Sequence, residues 1–325
     1  MLRNVVCFLI MLVVSTSCKK TDDVFFIETP PHFPELPIPT DNPPTLAKIA
    51  LGKALFFDNR LSLDSTLNCS SCHLPKYAFS DTLAVSKGVH GALGKRNAPS
   101  LVNSGFGSLF NKDGGVIKLD IFSMLPIEDE LEMHLPIRKL VTRLSTDKAL
   151  QSQAQVAFNQ DLNPYVITRA LSSYVRTLIS EGGKYDRFLH GEESLSAAEE
   201  RGRILFFSAE TNCSSCHAGA LFTNHEFESN GTKDEYKDQG RKLVTGKESD
   251  RGKFKIPSLR NVELTAPYMH DGSFNTLESV LDHYSKGGSK HPNKSALIRP
   301  LDLSARDKED IKAFLKTLTD EKLVY

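Results

Sequence analysis

The pattern of apolar and polar residues along the chain predicts helices wherever it is regular. An apolar stripe at helical spacing runs over residues 165–179 and stops at a Gly-Gly pair. Two further amphipathic stretches cover 194–207 and 307–318, and Ser196 opens a capping-box sequence in the first of them. Strand-like alternation is scarce, and Gly- and Pro-rich segments such as 88–115 fill much of the rest. The predicted fold class is therefore mainly α, with long loops.

Two blocks of sequence occur twice along the chain, in the same order. Gly-Lys-Ala-Leu-Phe-Phe at 52–57 is followed by Asn-Cys-Ser-Ser-Cys-His at 68–73. Gly-Arg-Ile-Leu-Phe-Phe at 202–207 is followed by Asn-Cys-Ser-Ser-Cys-His at 212–217. The repetition indicates a duplicated domain, and two copies of so long a unit are a tandem pair rather than a solenoid.

The repeat and the composition of the N-terminus divide the chain into four segments. Residues 1–18 combine a positive charge, a short apolar run and small residues, which is typical of a secretory signal. Residues 19–44 are dense in Pro and have few periodic apolar residues, which predicts an extended, partly stiff tether. The two tandem domains then cover 45–190 and 191–325, and Thr45 is the expected N-cap of the first helix.

The signal segment ends at Cys18, directly after small residues. This arrangement resembles a bacterial lipobox, in which the thiol is lipidated and cleavage leaves the Cys as the first residue. The alternative is a plain signal peptide with an unrelated Cys. No later segment is apolar enough to cross a membrane. We therefore expect an exported, periplasmic protein that is held at a membrane by a lipid on Cys18 alone.

The charge balance of the chain argues against nucleic-acid binding. The 325 residues include 40 Lys and Arg and 40 Asp and Glu, so the formal net charge is zero. Nucleic-acid binding usually requires a basic surface, and none is indicated. The chain also contains no Trp.

The cysteines of the two domains form two Cys-x-x-Cys-His motifs: Cys69, Cys72 and His73, then Cys213, Cys216 and His217. In such a motif both thiols bond to one haem, and the adjacent His ligates its iron. A zinc ribbon would place the Cys pairs about 15–20 residues apart, and a thioredoxin-like pair would sit near a βαβ pattern, which is missing. Local disulfides would not require a His after each pair. The sequence therefore predicts two covalently bound haem c groups, with His73 and His217 as proximal ligands.

The surroundings of these motifs resemble those of the bacterial di-haem cytochrome c peroxidases, a superfamily that includes the MauG-type enzymes. The resemblance runs from Leu46 to the C-terminus. Its most specific markers are Gly-Lys-Arg-Asn-Ala-Pro-Ser-Leu at 94–101, Ile-Pro-Ser-Leu-Arg-Asn-Val at 256–262, and Thr-Ala-Pro-Tyr-Met-His-Asp-Gly-Ser at 265–273. It implies two cytochrome c-like haem domains in tandem, with long loops that wrap the cofactors.

The resemblance also implies an activity. Hydrogen peroxide is expected to react at the haem of His73, and electrons are expected to enter through the haem of His217. The donor would be a small cytochrome c, a cupredoxin or a membrane quinol relay. Glu132 falls where the family places an acid–base carboxylate, which moves a proton between the peroxide oxygens. The alternative for Glu132 is a solvated acidic face, because Glu128, Asp129 and Glu130 lie beside it.

The distal ligands differ from one member of the superfamily to another. His90 lies one position from the His that blocks the N-terminal iron in many members, and its alternative is an ordinary loop His. Tyr284 stands where the peroxidases usually carry a Met ligand to the C-terminal haem and where the MauG-type enzymes carry Tyr. Met269 is the rival ligand, and we interpret it as a packing residue.

Further positions bear on electron transfer and on metal binding. Lys112 replaces the Trp that usually lies between the two haems, and Phe122 replaces a distal Gln, so inter-haem transfer is expected to be slower or to follow another route. The family also binds calcium between the domains. The resemblance assigns that ion to the Asn97 side chain and to the carbonyl oxygens of Thr265 and Pro267, which are hard ligands suited to calcium.

Two other functions remain open at this point. One is MauG-like oxidation of a protein or small-molecule substrate, which Tyr284 favours and Lys112 opposes. The other is a non-catalytic di-haem electron-transfer cytochrome with no open iron. The sequence leaves the oligomeric state undecided, with a homodimer among the options.

Overall fold

The computed structural model describes residues 24–321 and residue 323. Helices dominate this part of the chain, and its only sheet has two short antiparallel strands. The helices are α1 (Leu46–Phe56), α2 (Leu119–Phe122), α3 (Leu125–Glu128), α4 (Ile137–Leu144), α5 (Lys148–Phe158), α6 (Pro164–Arg176), α7 (Lys184–Leu189), α8 (Ala197–Phe207), α9 (Lys242–Thr245), α10 (Leu277–Ser285) and α11 (Ala305–Lys316). Strand β1 (Phe227–Glu228) pairs with β2 (Phe254–Lys255). The predicted mainly α class is confirmed.

The helices begin where the capping residues of the sequence place them. The Thr45 hydroxyl accepts the backbone N–H of Lys48 at 3.2 Å and caps α1. Ser196 caps α8 through a complete capping box with Glu199. Such side chains satisfy backbone N–H groups that have no partner within the first turn of a helix.

The duplicated Gly marks two equivalent helix crossings. Helix α1 packs against α6, and α8 packs against α11. A Cβ added at Gly52 would lie 1.9 Å from the carbonyl oxygen of Ala170, and one added at Gly202 would lie 1.8 Å from that of Asp310. Only a residue without a side chain allows backbones to approach this closely, which explains why both copies of the repeat have Gly at this position.

Two hydrophobic cores follow the repeat. The first core contains buried residues between Leu51 and Leu178, and the second contains buried residues between Tyr185 and Leu318. Helix α7 contributes Tyr185 to the second core, where its ring contacts those of Phe222 and Phe314. The boundary between the two cores therefore lies between residues 178 and 185, a few residues before the predicted domain boundary at 190/191. Below, the N-terminal half means residues 45–178 and the C-terminal half residues 185–321.

Residues 24–44, called the N-terminal strap below, form no helix or strand but pack onto both halves. Phe33 is buried, and the Arg260 guanidinium of the C-terminal half lies 4.5 Å from the centre of its ring. The Asn42 side chain donates to Asp120 of the N-terminal half at 3.0 Å. The segment predicted as a tether is thus extended, and it is docked through buried residues such as Phe33 and Asn42, while Val24 and Phe26 stay exposed.

The signal segment and Cys18 lie outside the described residues. Among the residues described, no helix is long and apolar enough to cross a membrane.

Candidate functional site

Both Cys-x-x-Cys-His motifs adopt the same local geometry. A short 3₁₀ turn covers Cys69–Ser71 in the first motif and Cys213–Ser215 in the second. The backbone N–H of His73 donates to Cys69 and that of His217 donates to Cys213, both at 3.0 Å. Each turn therefore places two thiols and one imidazole on one short segment. None of these four thiols is part of a disulfide.

Each motif His is oriented by a carbonyl group of the chain. Nδ1 of His73 lies 3.0 Å from the carbonyl oxygen of Phe79, and Nδ1 of His217 lies 3.1 Å from that of Phe222. This contact fixes the ring and leaves Nε2 available to a metal. Burial lowers the pKa of His73 and lowers that of His217 to about 4, so both imidazoles are neutral, as iron ligation requires. Both motifs fit a covalently bound haem.

A cavity of about 1670 Å³ opens beside the first motif. Cys69, Cys72 and His73 line one part of it, and Glu132 and Lys112 line other parts. Typical ligand pockets measure roughly 300–1,000 Å³, so a haem with a small substrate above it has sufficient room here.

Glu132 lines this cavity together with its acidic neighbours Glu128, Asp129 and Glu130. Water reaches the Glu132 side chain through the cavity, but the surrounding protein still raises its pKa to about 7, mainly by desolvation and then by the charge of Asp129. The Glu128 carboxylate instead accepts the backbone N–H of Ile137 at 3.0 Å. The raised pKa of Glu132 suits proton transfer near neutral pH.

His90 lies on the turn at 88–91 and is 69% exposed. Its Nδ1 is 4.0 Å from the Asp64 carboxylate. His90 does not line the cavity beside the first motif, and its ligation of the N-terminal iron stays a prediction.

Lys112 extends into the space between the cavity and the 268–274 loop. Its Nζ lies 3.5 Å from the Met269 carbonyl oxygen, and in the described part of the chain no carboxylate comes within 4.0 Å of it. Burial lowers the pKa of Lys112 to about 8, and the charges of Arg96 and Lys255 act in the same direction. A cation therefore occupies the position where the resemblance expects an aromatic ring.

Tyr284 lies beside the second motif and close to the Asn230 side chain. Burial raises the pKa of Tyr284 to about 12, and a hydrogen bond with the Asn230 side chain acts in the opposite direction. The thiols of Cys213 and Cys216 are close enough to raise this pKa further. Nδ2 of Asn230 also lies 3.1 Å from the Met269 sulfur. The rival ligands of the sequence analysis are thus brought together around one carboxamide.

The residues assigned to calcium lie on neighbouring segments. The backbone N–H of Asn97 donates to the carbonyl of His270 at 2.9 Å, which places Asn97 beside the loop that contains Thr265 and Pro267. The Asn97 Nδ2 donates to the Leu83 carbonyl at 3.0 Å, so the amide is oriented by its nitrogen, and within the described part of the chain no hydrogen bond reaches its oxygen.

Sequence reasoning missed two parts of this region. Arg96 joins the halves by ion pairs of 2.6 Å to both Asp113 and Asp238, and Asn230 bridges Tyr284 and Met269. The resemblance had drawn attention to the Arg96 segment without indicating a partner. Asn230 carried no signal, because its role depends on contacts between residues distant in sequence.

Comparisons with known proteins agree with this geometry. Residues 46–194 match the family described as di-haem cytochrome c peroxidase. The methylamine utilization protein MauG of Methylorubrum extorquens is 36% identical over 88% of this chain and 82% of its own length. The cytochrome-c peroxidase IdrP1 of Pseudomonas sp. (strain SCT) is 32% identical over 88% and 84%. A solved MauG-like protein associated with microbial copper homeostasis superposes with a TM-score of 0.87 at 36% identity, over 92% of this chain and 97% of that one.

The two matching relatives, the matching fold and the two equivalent Cys-x-x-Cys-His turns lead to one assignment. The chain belongs to the di-haem cytochrome c peroxidase family.

Proposed function

We propose that this exported di-haem peroxidase reduces hydrogen peroxide to water in the cavity beside His73 and takes up electrons through the second motif. Family membership gives the peroxidase activity and the two covalently bound haem c groups. The proposal adds the assignment of residues. Cys69, Cys72 and His73 hold the haem that meets peroxide.

On this proposal, Cys213, Cys216 and His217 hold the second haem, and Tyr284 is its distal ligand. A small cytochrome c or a cupredoxin is the electron donor.

The observation that carries the proposal is the shared cavity of His73 and Glu132. The haem, when bound, supplies the redox chemistry, and the chain supplies proton transfer. In the overall change, hydrogen peroxide, two protons and two electrons give two waters. The Glu132 carboxylate accepts a proton from one peroxide oxygen and returns it to the other, which leaves as water. A group with a pKa of about 7 does both near neutral pH.

A second candidate function is MauG-like oxidation of a protein or small-molecule substrate. Tyr284 beside the second motif supports it, as do the relatives named MauG. Lys112 opposes it, because an ammonium group cannot relay an electron or a hole as an aromatic ring can.

The deciding experiment adds one equivalent of hydrogen peroxide to the fully oxidised holo-protein, and then to protein with one haem reduced, while the absorption spectrum is followed. We expect consumption of peroxide coupled to oxidation of a reduced small cytochrome only after one haem has been reduced. A prompt spectral change in the oxidised protein would favour the MauG-like function. No reaction in either state would leave an electron carrier and overturn the proposal.

We also propose that Cys18 carries a lipid anchor. The sequence before it supports lipidation, and the strap begins close to it with strongly exposed apolar side chains, 63% for Val24 and 79% for Phe26. In a cell-fractionation experiment, Cys18→Ala should move the protein from the membrane to the soluble periplasmic fraction. Unchanged membrane association would rule out this anchor.

A calcium ion held by Asn97, Thr265 and Pro267 is the last part of the proposal. The orientation of the Asn97 amide supports it, since its nitrogen is already engaged. Elemental analysis of the purified holo-protein should find calcium, and Asn97→Ala should lose it. Equal calcium content in both proteins would contradict this site.

A further inference from the structure

Asn230 lies at the meeting point of a thioether and a phenol, two kinds of side chain that ligate haem iron. Its Nδ2 is 3.1 Å from the Met269 sulfur, and its side chain is close enough to the Tyr284 hydroxyl to lower the pKa of the phenol. Tyr284 is near both thiols of the second motif. One carboxamide therefore touches a thioether and a phenol beside the same haem site.

The backbone of Asn230 is fixed independently of its side chain. Its carbonyl accepts from Nε2 of His283 at 2.9 Å, and His283 precedes Tyr284 on α10. The next carbonyl, that of Gly231, accepts the backbone N–H of Ser289 at 2.7 Å. Because these bonds use main-chain atoms, a substitution at Asn230 removes the carboxamide and keeps its attachment to α10.

Met269 is held in a conformation that a long side chain rarely adopts. Its φ is 78°, in the left-handed region that favours Gly. An outlier of this kind persists only where the surrounding structure enforces it, and such residues cluster at functional sites. The loop around it is closed by a backbone bond of 2.7 Å from Tyr268 to Phe274. The strained backbone and the carboxamide together determine where the sulfur points.

We propose that Asn230 is the positioning residue that selects the axial ligand of the second haem. Its amide N–H engages the Met269 sulfur and keeps the thioether from the iron, while the same carboxamide holds the Tyr284 hydroxyl in place as the ligand. The inference rests on the proposed ligation by Tyr284. It adds Met269 as a second ligand and Asn230 as the residue that keeps Met269 from the iron.

The reason is a competition for lone pairs. A thioether sulfur is a weak hydrogen-bond acceptor, and the lone pair that meets the amide N–H is less available to a metal. Without the carboxamide, the sulfur is free and the phenol loses a partner. Met ligation raises the reduction potential of a haem, so the exchange of ligands has a readout that does not depend on peroxide turnover.

The test compares the holo-proteins of wild type, Asn230→Leu, Met269→Leu and the double variant by visible and EPR spectroscopy of the ferric state and by redox titration. Leu has nearly the shape of Asn and lacks its hydrogen bonds. We expect Asn230→Leu to acquire the sulfur-to-iron charge-transfer band and a raised potential at the second haem. Met269→Leu alone should match wild type, and the double variant should lose the new band.

The outcomes separate this inference from the proposals on which it rests. An unchanged ferric spectrum and potential in Asn230→Leu, with both haems present, would overturn the selection role. Retention of the new band in the double variant would also overturn it, because the sulfur would not come from Met269. If Asn230→Leu loses haem, Asn230→Asp provides the same comparison, since a carboxylate cannot donate to sulfur. Met ligation already in wild type would overturn both ligand assignments while leaving the peroxidase function intact.

Discussion

At the scale of single residues, the proton chemistry of the site depends on Glu132. Glu132→Gln keeps the size of the side chain and removes its ability to accept a proton. General acid–base catalysis typically contributes about 10²–10⁴-fold, so we expect peroxide turnover to fall by about that factor while haem content stays the same. The matched control is Glu130→Gln, a neighbouring acid that lines the same cavity but has no role in the proposed proton transfer, and it should retain wild-type turnover.

The same residue predicts a pH dependence. A carboxylate must be ionised to accept a proton, and the pKa of Glu132 is about 7. Turnover should therefore decrease as the pH falls through about 7 and be largest above it. A pH–rate profile of wild type and Glu132→Gln tests this prediction, and an identical acid limb in both proteins would assign it to another group.

Tyr284 determines the potential of the second haem if it is the ligand. Replacement of an oxygen ligand by sulfur favours the ferrous state, so Tyr284→Met should raise the potential in a redox titration. Tyr284→Phe is the control, which removes the oxygen without adding sulfur. No change in either variant would mean that Tyr284 does not ligate the iron.

Residues whose own side chains bind a cofactor could be identified from the sequence. Residues that only position another side chain could not. The Cys and His residues of both motifs are adjacent in the chain, so spacing alone predicts the haems. Glu132 could be selected only through the family resemblance, because three other acidic residues lie within four positions of it. Asn230 remained hidden, since His283, which contacts its carbonyl, is 53 residues away.

At the scale of elements, the repeated Gly residues determine how closely two pairs of helices pack. Gly202→Ala raises intrinsic helix propensity by about 1 kcal/mol. Its Cβ would, however, lie 1.8 Å from the Asp310 carbonyl oxygen, and overpacking of this kind costs about 1–3 kcal/mol or more. We expect the free energy of unfolding to fall, as measured by denaturant titration of the holo-protein.

Gly94→Ala is the matched control for Gly202→Ala. The nearest atom to its added Cβ is the Ser86 carbonyl oxygen at 3.5 Å, an ordinary contact. Equal stability of the two variants would show that α8 and α11 separate easily.

The helices that the sequence did predict were placed to within a few residues, because caps and apolar periodicity are local. The stretch predicted at 165–179 is α6, Pro164–Arg176, and the one at 307–318 is α11, Ala305–Lys316. The docked strap was not predictable. Its composition indicates an extended chain, but the grooves that receive Phe33 and Leu36 are formed by residues far along the sequence.

At the scale of the whole molecule, the strap joins the two halves. Phe33 contacts Phe106 of the N-terminal half and Arg260 of the C-terminal half. Truncation of a buried Phe typically costs about 3–5 kcal/mol, so Phe33→Ala should lower the thermal midpoint of the holo-protein. Phe26→Ala removes the same ring from a side chain that is 79% exposed and should change stability by less than about 0.5 kcal/mol. Similar losses in both variants would mean that the strap contributes nothing specific.

The strap also constrains the order in which the chain reaches its native state. Residues 24–44 leave the ribosome before any other described segment, yet the groove for Phe33 includes Arg260 and Leu221. Such long-range contacts form slowly, because a large loop must close before they contribute stability. The segment that is synthesised first is therefore docked late. Until it docks, its apolar side chains are accessible to whatever handles the chain during export.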